Sequence, residues 1–177
     1  TITSMETIFL MVSSAANQDP LYSVNSGGTF LTGDTTNFNG NTNCRWYDVT
    51  SNDVDQAVAV GKCDAGGVTM YTPNHINWFI DALSPTHPGT TWTSVAYDAT
   101  NNYVALSNDN GVGSGTDKKL MSTDGISWSL GPTPGPETNA YLGVTGLDNG
   151  YFYTVRDTNN AVDQVLISPD GSVFELP

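Results

Sequence analysis

One frame recurs four times along the chain, and any fold must accommodate all four copies. LYSVNSGGTF (21–30), MYTPNHINWF (70–79), LMSTDGISWS (120–129) and LISPDGSVFE (166–175) share it. Each runs from an apolar pair through Ser or Thr and an Asx-containing turn to an aromatic. The closing aromatics Phe30, Trp78, Trp128 and Phe174 are spaced 48, 50 and 46 residues apart. A second marker keeps step, an aromatic three residues before a Val, at Trp46/Val49, Trp92/Val95 and Tyr141/Val144. About nine residues beyond each Val comes an alternating apolar segment: QAVAVGK, NYVALSN or GYFYTVRD. In the first repeat the matching segment is TIFLMVS, which puts Ile2 where the Val belongs. The chain is therefore expected to begin partway through the first strand of its first repeat.

Two markers in register over nearly the whole sequence describe a stack of like units. Stretches rich in Gly, Pro, Thr and Asn separate them: TGDTTNFNGNTN, SPTHPGTT and GPTPGPET. Only three of the 18 acidic residues are Glu, and Thr, Asn and Gly abound, a composition that favours strands and turns over helices. Four strand-like pieces in each repeat of about 46–50 residues predict an all-β fold, a four-bladed β-propeller with a four-stranded antiparallel sheet per blade. The repeats fall at about 1–33, 44–83, 91–131 and 139–177 within a single domain. Four blades is the lower limit for a closed ring. The expectation is a monomeric ring of four. The alternatives are closure by upstream residues, a larger ring shared by two chains, or a piece of a longer protein.

Cys44 and Cys63 acquire meaning once the hairpins are drawn. The first hairpin of the second repeat turns around SNDV (51–54), which sets the two cysteines opposite one another on antiparallel strands. A Cys44–Cys63 bridge would imply an oxidising, extracellular setting. The alternative is a pair of buried free thiols.

The frame Ser/Thr-x-Asp-(x)-Gly-x-x-aromatic resembles the Asp-box, or BNR, repeat, and most resembles the short variants in propellers of phage virion and secreted bacterial proteins. SVNSGGTF keeps the full spacing with Asn25 for Asp, whereas STDGISW and SPDGSVF are one residue shorter. TPNHINW is the weakest copy, because His75 replaces the Gly. The resemblance implies a structural motif on the hairpin between the third and fourth strands of a blade. Its members here are Ser23, Asn25, Gly27 and Phe30; Thr72, Asn74 and Trp78; Ser122, Asp124, Gly125 and Trp128; and Ser168, Asp170, Gly171 and Phe174. Asp124 is expected to accept turn N–H groups, Gly125 to supply a positive φ, and Trp128 to pack against the next blade. An acid repeated at one phase reads as a turn lock, since a catalytic acid is normally unique.

The remaining residues argue against most catalytic chemistry. Sialidases carrying these boxes grip a carboxylate with three arginines, and this chain has two, Arg45 and Arg156. A Glu general acid must come from Glu6, Glu137 or Glu175, none of which the repeats place in a shared cleft. His75 and His87 read as loop residues, and two His and two Cys without ligand spacing do not make a zinc site. SNDNGVGSGTD (107–117) has the composition of a calcium loop but lacks a closing Glu, so no cofactor is expected beyond that one possibility of calcium. Tyr47 and Tyr97 follow the first-strand aromatic and are the candidates for stacking on a sugar ring. A net charge of −13 repels phosphate backbones and anionic lipid, so neither nucleic acid nor membrane is an expected partner. The segment ETIFLMVSSAA lacks the basic leader of a signal peptide. The expected function is a non-enzymatic extracellular or virion-surface module of the phage decoration, knob or fibre type. Its expected partners are other proteins of that assembly, with host glycans a second possibility. A lectin is the first alternative and a glycoside hydrolase the second.

Overall fold

The computed structural model describes residues 2–5, 8–38, 43–80, 90–108, 118–131, 141–156 and 165–177, and the side chains from residue 8 onward within these ranges. Among them are strands and no helix, as the Thr-, Val- and aromatic-rich runs require. The first sheet holds β1 (Ile2–Met5), β2 (Ile8–Met11), β3 (Leu21–Ser23) and β4 (Leu31–Thr32). The second holds β5 (Asp34–Asn37), β6 (Arg45–Ser51), β7 (Ala57–Cys63), β8 (Gly66–Thr72) and β9 (Asn77–Ile80). The third is built from β10 (Trp92–Tyr97), β11 (Tyr103–Ser107), β12 (Lys119–Ser122) and β13 (Ser129–Leu130). The fourth contains β14 (Tyr141–Gly146), β15 (Phe152–Arg156) and β16 (Val165–Ser168).

Apart from β5, each sheet is a meander whose first strand lies beside the first strand of its neighbour, β1 by β6, β6 by β10 and β10 by β14. Period-two alternation then gives every sheet two apolar faces. In β2 and just after it, Ile8, Leu10 and Val12 turn toward the second sheet, where they join Trp46, Val49, Ala57, Ala59, Met70 and Trp78. Val58 and Val60 turn the other way, toward Trp92, Tyr103, Leu120 and Trp128 of the third sheet. Ala96, Val104 and Leu106 meet Tyr141, Phe152, Leu166 and Phe174 of the fourth. The core is thus three sandwich layers, one at each junction between consecutive sheets.

Two expectations are corrected. The sheets are not uniformly four-stranded antiparallel units. β5 comes from the stretch read as linker and pairs in parallel with β9, giving the second sheet a fifth strand. Its anchor is local: the Asp34 N–H donates to the Ile76 carbonyl, and the Asp34 carboxylate accepts the Thr36 N–H. In the fourth sheet the outer position is reduced to a single bridge between Ile167 and Glu175. Nor do the sheets close into a ring of four. Among the described residues no apolar cluster joins the fourth sheet to the first. Their outward faces stay open, with Val155 43% and Phe30 37% exposed. The described sheets form an open arc.

The second, third and fourth sheets also share a β-bulge in the first strand, between Trp46 and Asp48, Trp92 and Ser94, and Tyr141 and Gly143. The bulged residues are Tyr47, Thr93 and Leu142. This bulge explains why the aromatic-to-Val spacing is so regular: the aromatic and the Val both enter the preceding junction, on either side of the extra residue.

Candidate functional site

The four recurring turns are built alike. In the third sheet the Ser122 hydroxyl donates to Asp124 and accepts the N–H of Gly125, while the Asp124 carboxylate accepts the N–H groups of Ile126 and Ser127. Asn25 accepts the Thr29 N–H, Asn74 those of Ile76 and Asn77, and Asp170 that of Ser172. The turn needs a left-handed residue, supplied by Gly125 at φ 67° and Gly171 at φ 75°. In the weak second copy His75 adopts φ 56° instead, and its ring lies 5.6 Å from that of Tyr22 across the first junction.

These contacts settle the electrostatics of the two acids. Burial pushes the Asp124 carboxyl up, but the N–H groups of Ser127 and Ile126 and the Ser122 hydroxyl outweigh it and hold it below the ordinary range. The hydroxyl and N–H of Ser172 do the same for Asp170. A carboxyl held ionised in this way is a poor proton donor at neutral pH.

The closing aromatics act on the opposite side from the one expected. Trp128 packs against Val58 and Val60 of the preceding sheet, and Phe174 against Val104 and Leu106. The cause is strand alternation. Trp128 and Leu120 project from the same face as Tyr103, and that face looks back along the chain. Side chains reinforce the junction between the second and third sheets: Gln56 donates to the Asp124 carbonyl and accepts the Tyr103 hydroxyl.

Lys119 is fully buried at the third junction. Its ammonium donates to the carbonyls of Gly171 and Ser172 in the turn of the fourth sheet and lies 5.5 Å from the centre of the Phe174 ring. Burial pushes the amine down to about 8, and the nearby Asp170 only partly offsets this. An unfolded lysine titrates near 10.5. Between about pH 8 and 10 the unfolded chain therefore binds more protons than the folded one, and stability rises with pH. The slope is at most one proton, or about 1.4 kcal/mol per pH unit. Above about pH 10 the gain is opposed, because burial holds Tyr141 protonated up to about 12 in the folded state only. Urea unfolding at pH 8, 9 and 10 should show this rise in the wild type and lose it in Lys119→Met.

A polar relay runs along the inner strands. Asp48 accepts the Ser94 hydroxyl at 3.1 Å and the Val95 N–H at 3.0 Å, and Ser94 in turn accepts the Val144 N–H at 2.9 Å. The side chain two residues after Trp46 and after Trp92 thus fastens one sheet to the backbone of the next. Asp48, Ser94 and Lys119 were not singled out from sequence. The phase of Asp48 and Ser94 two residues beyond Trp46 and Trp92 was the available signal. For Lys119 nothing distinguished a buried lysine from a solvated one at a strand start.

The two candidate tyrosines do not share a site. Tyr47 is the half-buried bulged residue of β6. Tyr97 packs into the second junction, its ring 4.8 Å from that of Tyr103 and its hydroxyl donating to Asn101. Cys44, just before β6, and Cys63, at the end of β7, form a disulfide. Beside it lies a cavity of about 210 Å³ lined by Asp19, Thr35, Phe38 and Trp46, below the range of roughly 300–1,000 Å³ usual for small-molecule sites. A second cavity of about 230 Å³, lined by Tyr151, Ile167, Val173 and Leu176, lies by the fourth sheet. His87, Glu6, Glu137 and most of the 107–117 loop lie outside the described residues. No cluster of three metal-ligating side chains occurs among the described ones.

No protein-family model matches the chain, and no curated protein matches it in sequence. Solved structures do. Ycf48 bound to D1 peptide aligns over 96% of this chain and 41% of its own, at 15% identity and a TM-score of 0.54. The major Malassezia sympodialis allergen Mala s 1 aligns over 99% of this chain and 62% of its own, at 11% identity and a TM-score of 0.63. An ancestral GH74 enzyme aligns over 98% of this chain and 23% of its own, at 15% identity and a TM-score of 0.65. The chain spans less than two thirds of the length of each of these structures. At such identities the likeness is one of fold, and the fold is that of a β-propeller.

Proposed function

We propose that this chain is a non-enzymatic attachment or display module of an extracellular or virion surface, built on Asp-box repeats and directed at protein partners. The employment of its carboxylates carries this reading. Asp124 and Asp170 lock the recurring turns, Asp98 locks the β10–β11 turn through Thr100 and Asn102, and Asp48 fastens the second sheet to the third. Asp19 and Asp64 accept from Thr35 and Asn43. Acids consumed as fixed hydrogen-bond acceptors build a scaffold, whereas glycoside hydrolysis requires two carboxyls facing one another across a cleft. The disulfide favours an oxidising compartment. The peptide bound to the similar Ycf48 structure illustrates a propeller that engages a polypeptide. Fold alone does not fix function. The test is therefore a glycan-array screen with and without calcium, run beside a panel of chromogenic glycosides. The expected result is no reproducible sugar class and no turnover. A hit on one sugar class replaces this reading with a lectin, and turnover replaces it with a hydrolase.

A further inference from the structure

The two ends of the arc carry the two halves of a junction that is already made three times inside the chain. In the second, third and fourth sheets the backward face consists of Ala57, Met70 and Trp78; Tyr103, Leu120 and Trp128; and Phe152, Leu166 and Phe174. The strand register assigns the same positions in the first sheet. Phe9 pairs with Ser23 as Tyr103 pairs with Ser122 and Phe152 with Ser168. Phe9 and Leu21 therefore occupy the backward face with Phe30, yet they are only half-buried and Phe30 is 37% exposed. Gly27 makes the same point. A Cβ at Gly125 would touch Val58 and one at Gly171 would touch Val104, whereas a Cβ at Gly27 would meet nothing within 4 Å.

The complementary half is at the other end. Val58 and Val104, which receive those glycine turns, correspond by register to Tyr153 in β15. Tyr153 pairs with Ile167 and Val155 with Val165, so four apolar side chains form one block on the forward face of the fourth sheet. Val155 and Val165 are 43% and 44% exposed, although their register counterparts in the third sheet, Leu106 and Lys119, are fully buried. An apolar sheet face of this kind marks an interface.

We propose that the forward face of the fourth sheet seats on the backward face of the first sheet of a second copy of this chain. Two such junctions close a two-chain ring of eight sheets. Self-complementarity identifies the occupant, because the chain itself carries the surface that covers this face pattern at every internal junction. Eight blades lies within the range that propellers close. Each copy's forward face meets the other's backward face, so the closed dimer is two-fold symmetric and its two junctions are identical. The junctions are apolar, since Gly143 stands where Asp48 and Ser94 fasten the preceding sheets and has no side chain to extend the relay.

Light scattering coupled to gel filtration of the intact chain tests this. The expected mass is twice the 18.8 kDa of one chain. Phe30→Asp and Val155→Asp, each at an exposed site, should both give monomers with unchanged circular dichroism. An equimolar mixture of the two variants should regain the dimer, because one of its two junctions is then intact. A wild-type monomer overturns the proposal, and so does an open polymer. Loss of the dimer in Val155→Asp but not in Phe30→Asp overturns it too, because that result means a face-to-face dimer of fourth sheets.

Discussion

Trp78→Ala is expected to destabilise the protein by about 3–5 kcal/mol, whereas Phe30→Ala at the same place in the first repeat costs less than about 1 kcal/mol. Both residues close the same turn motif. Trp78 is fully buried between the first and second sheets, against Leu10, Val12 and Met70. Phe30 is 37% exposed because, among the described residues, no sheet packs against the backward face of the first. Removing the indole deletes one of the largest apolar surfaces in the first junction and leaves a cavity that the strands on either side cannot collapse into. One wall of that cavity is backbone. A Cβ on Gly33 would meet the Trp78 ring at 2.8 Å, so the chain already passes against it. Trp78→Phe is the informative control. The indole N–H is buried without a hydrogen-bond partner among the described residues, so Phe removes area without stranding a polar group. Its cost should fall below that of Ala. Because each apolar cluster of the described residues joins only two consecutive sheets, the loss should uncouple the first sheet before the others. The measurement is urea unfolding at concentrations where the chain is monomeric, followed by tryptophan fluorescence and by hydrogen exchange in β2 and β3. Equal costs for Trp78→Ala and Phe30→Ala would show that the motif's position, and not its burial, sets the energetics.

The architecture was legible because the repeat encodes it twice, in the turn motif and in the first-strand aromatic. Ser122, Asp124, Gly125 and Trp128 have fixed chemical reasons to stand at fixed spacing, and a one-dimensional pattern preserves such spacing. Three things were not legible. The direction in which Trp128 packs depends on which face of β12 looks backward, and alternation alone is symmetric between the two faces. β5 was hidden in Thr- and Asn-rich sequence, because a parallel edge strand held by a few backbone bonds leaves no apolar period. Closure of the ring depends on the angle between consecutive sheets, which is set by the sum of many side-chain volumes at each junction and by no single residue. The repeat count therefore fixed how many sheets form and left open whether they meet. The polar fastenings were partly visible. Asp48 and Ser94 keep phase with the aromatics, but an acid and a hydroxyl at one position read as variable surface until the next sheet is seen to accept them.

Replacing both Cys44 and Cys63 with Ser is expected to lower stability by about 3 kcal/mol, equivalent to a melting temperature lower by about 6–12 °C. The bridge closes a segment of sequence separation 19, and the chain-entropy model assigns a loop of this size about 3 kcal/mol. Its position raises its importance beyond loop length. It lies at the open end of the β6–β7 hairpin, away from the turn in which Asn52 accepts three consecutive backbone N–H groups from Val54 to Gln56. The hairpin is thus pinned at both ends, and the strands between contribute Trp46, Val49, Ala57 and Ala59 to the first junction and Val58 and Val60 to the second. Cys44 also presents its carbonyl to the Asn17 N–H, which ties the first sheet's connection to the same point. Loss of the bridge should therefore loosen two junctions at once, with faster hydrogen exchange at Arg45 and Trp46 than at Thr50 and Ser51. Thermal melts of the wild type with and without reductant provide the same comparison without mutation. A reduced protein that melts with the oxidised one would mean that the paired strands, pinned by the Asn52 turn, already hold this hairpin unaided.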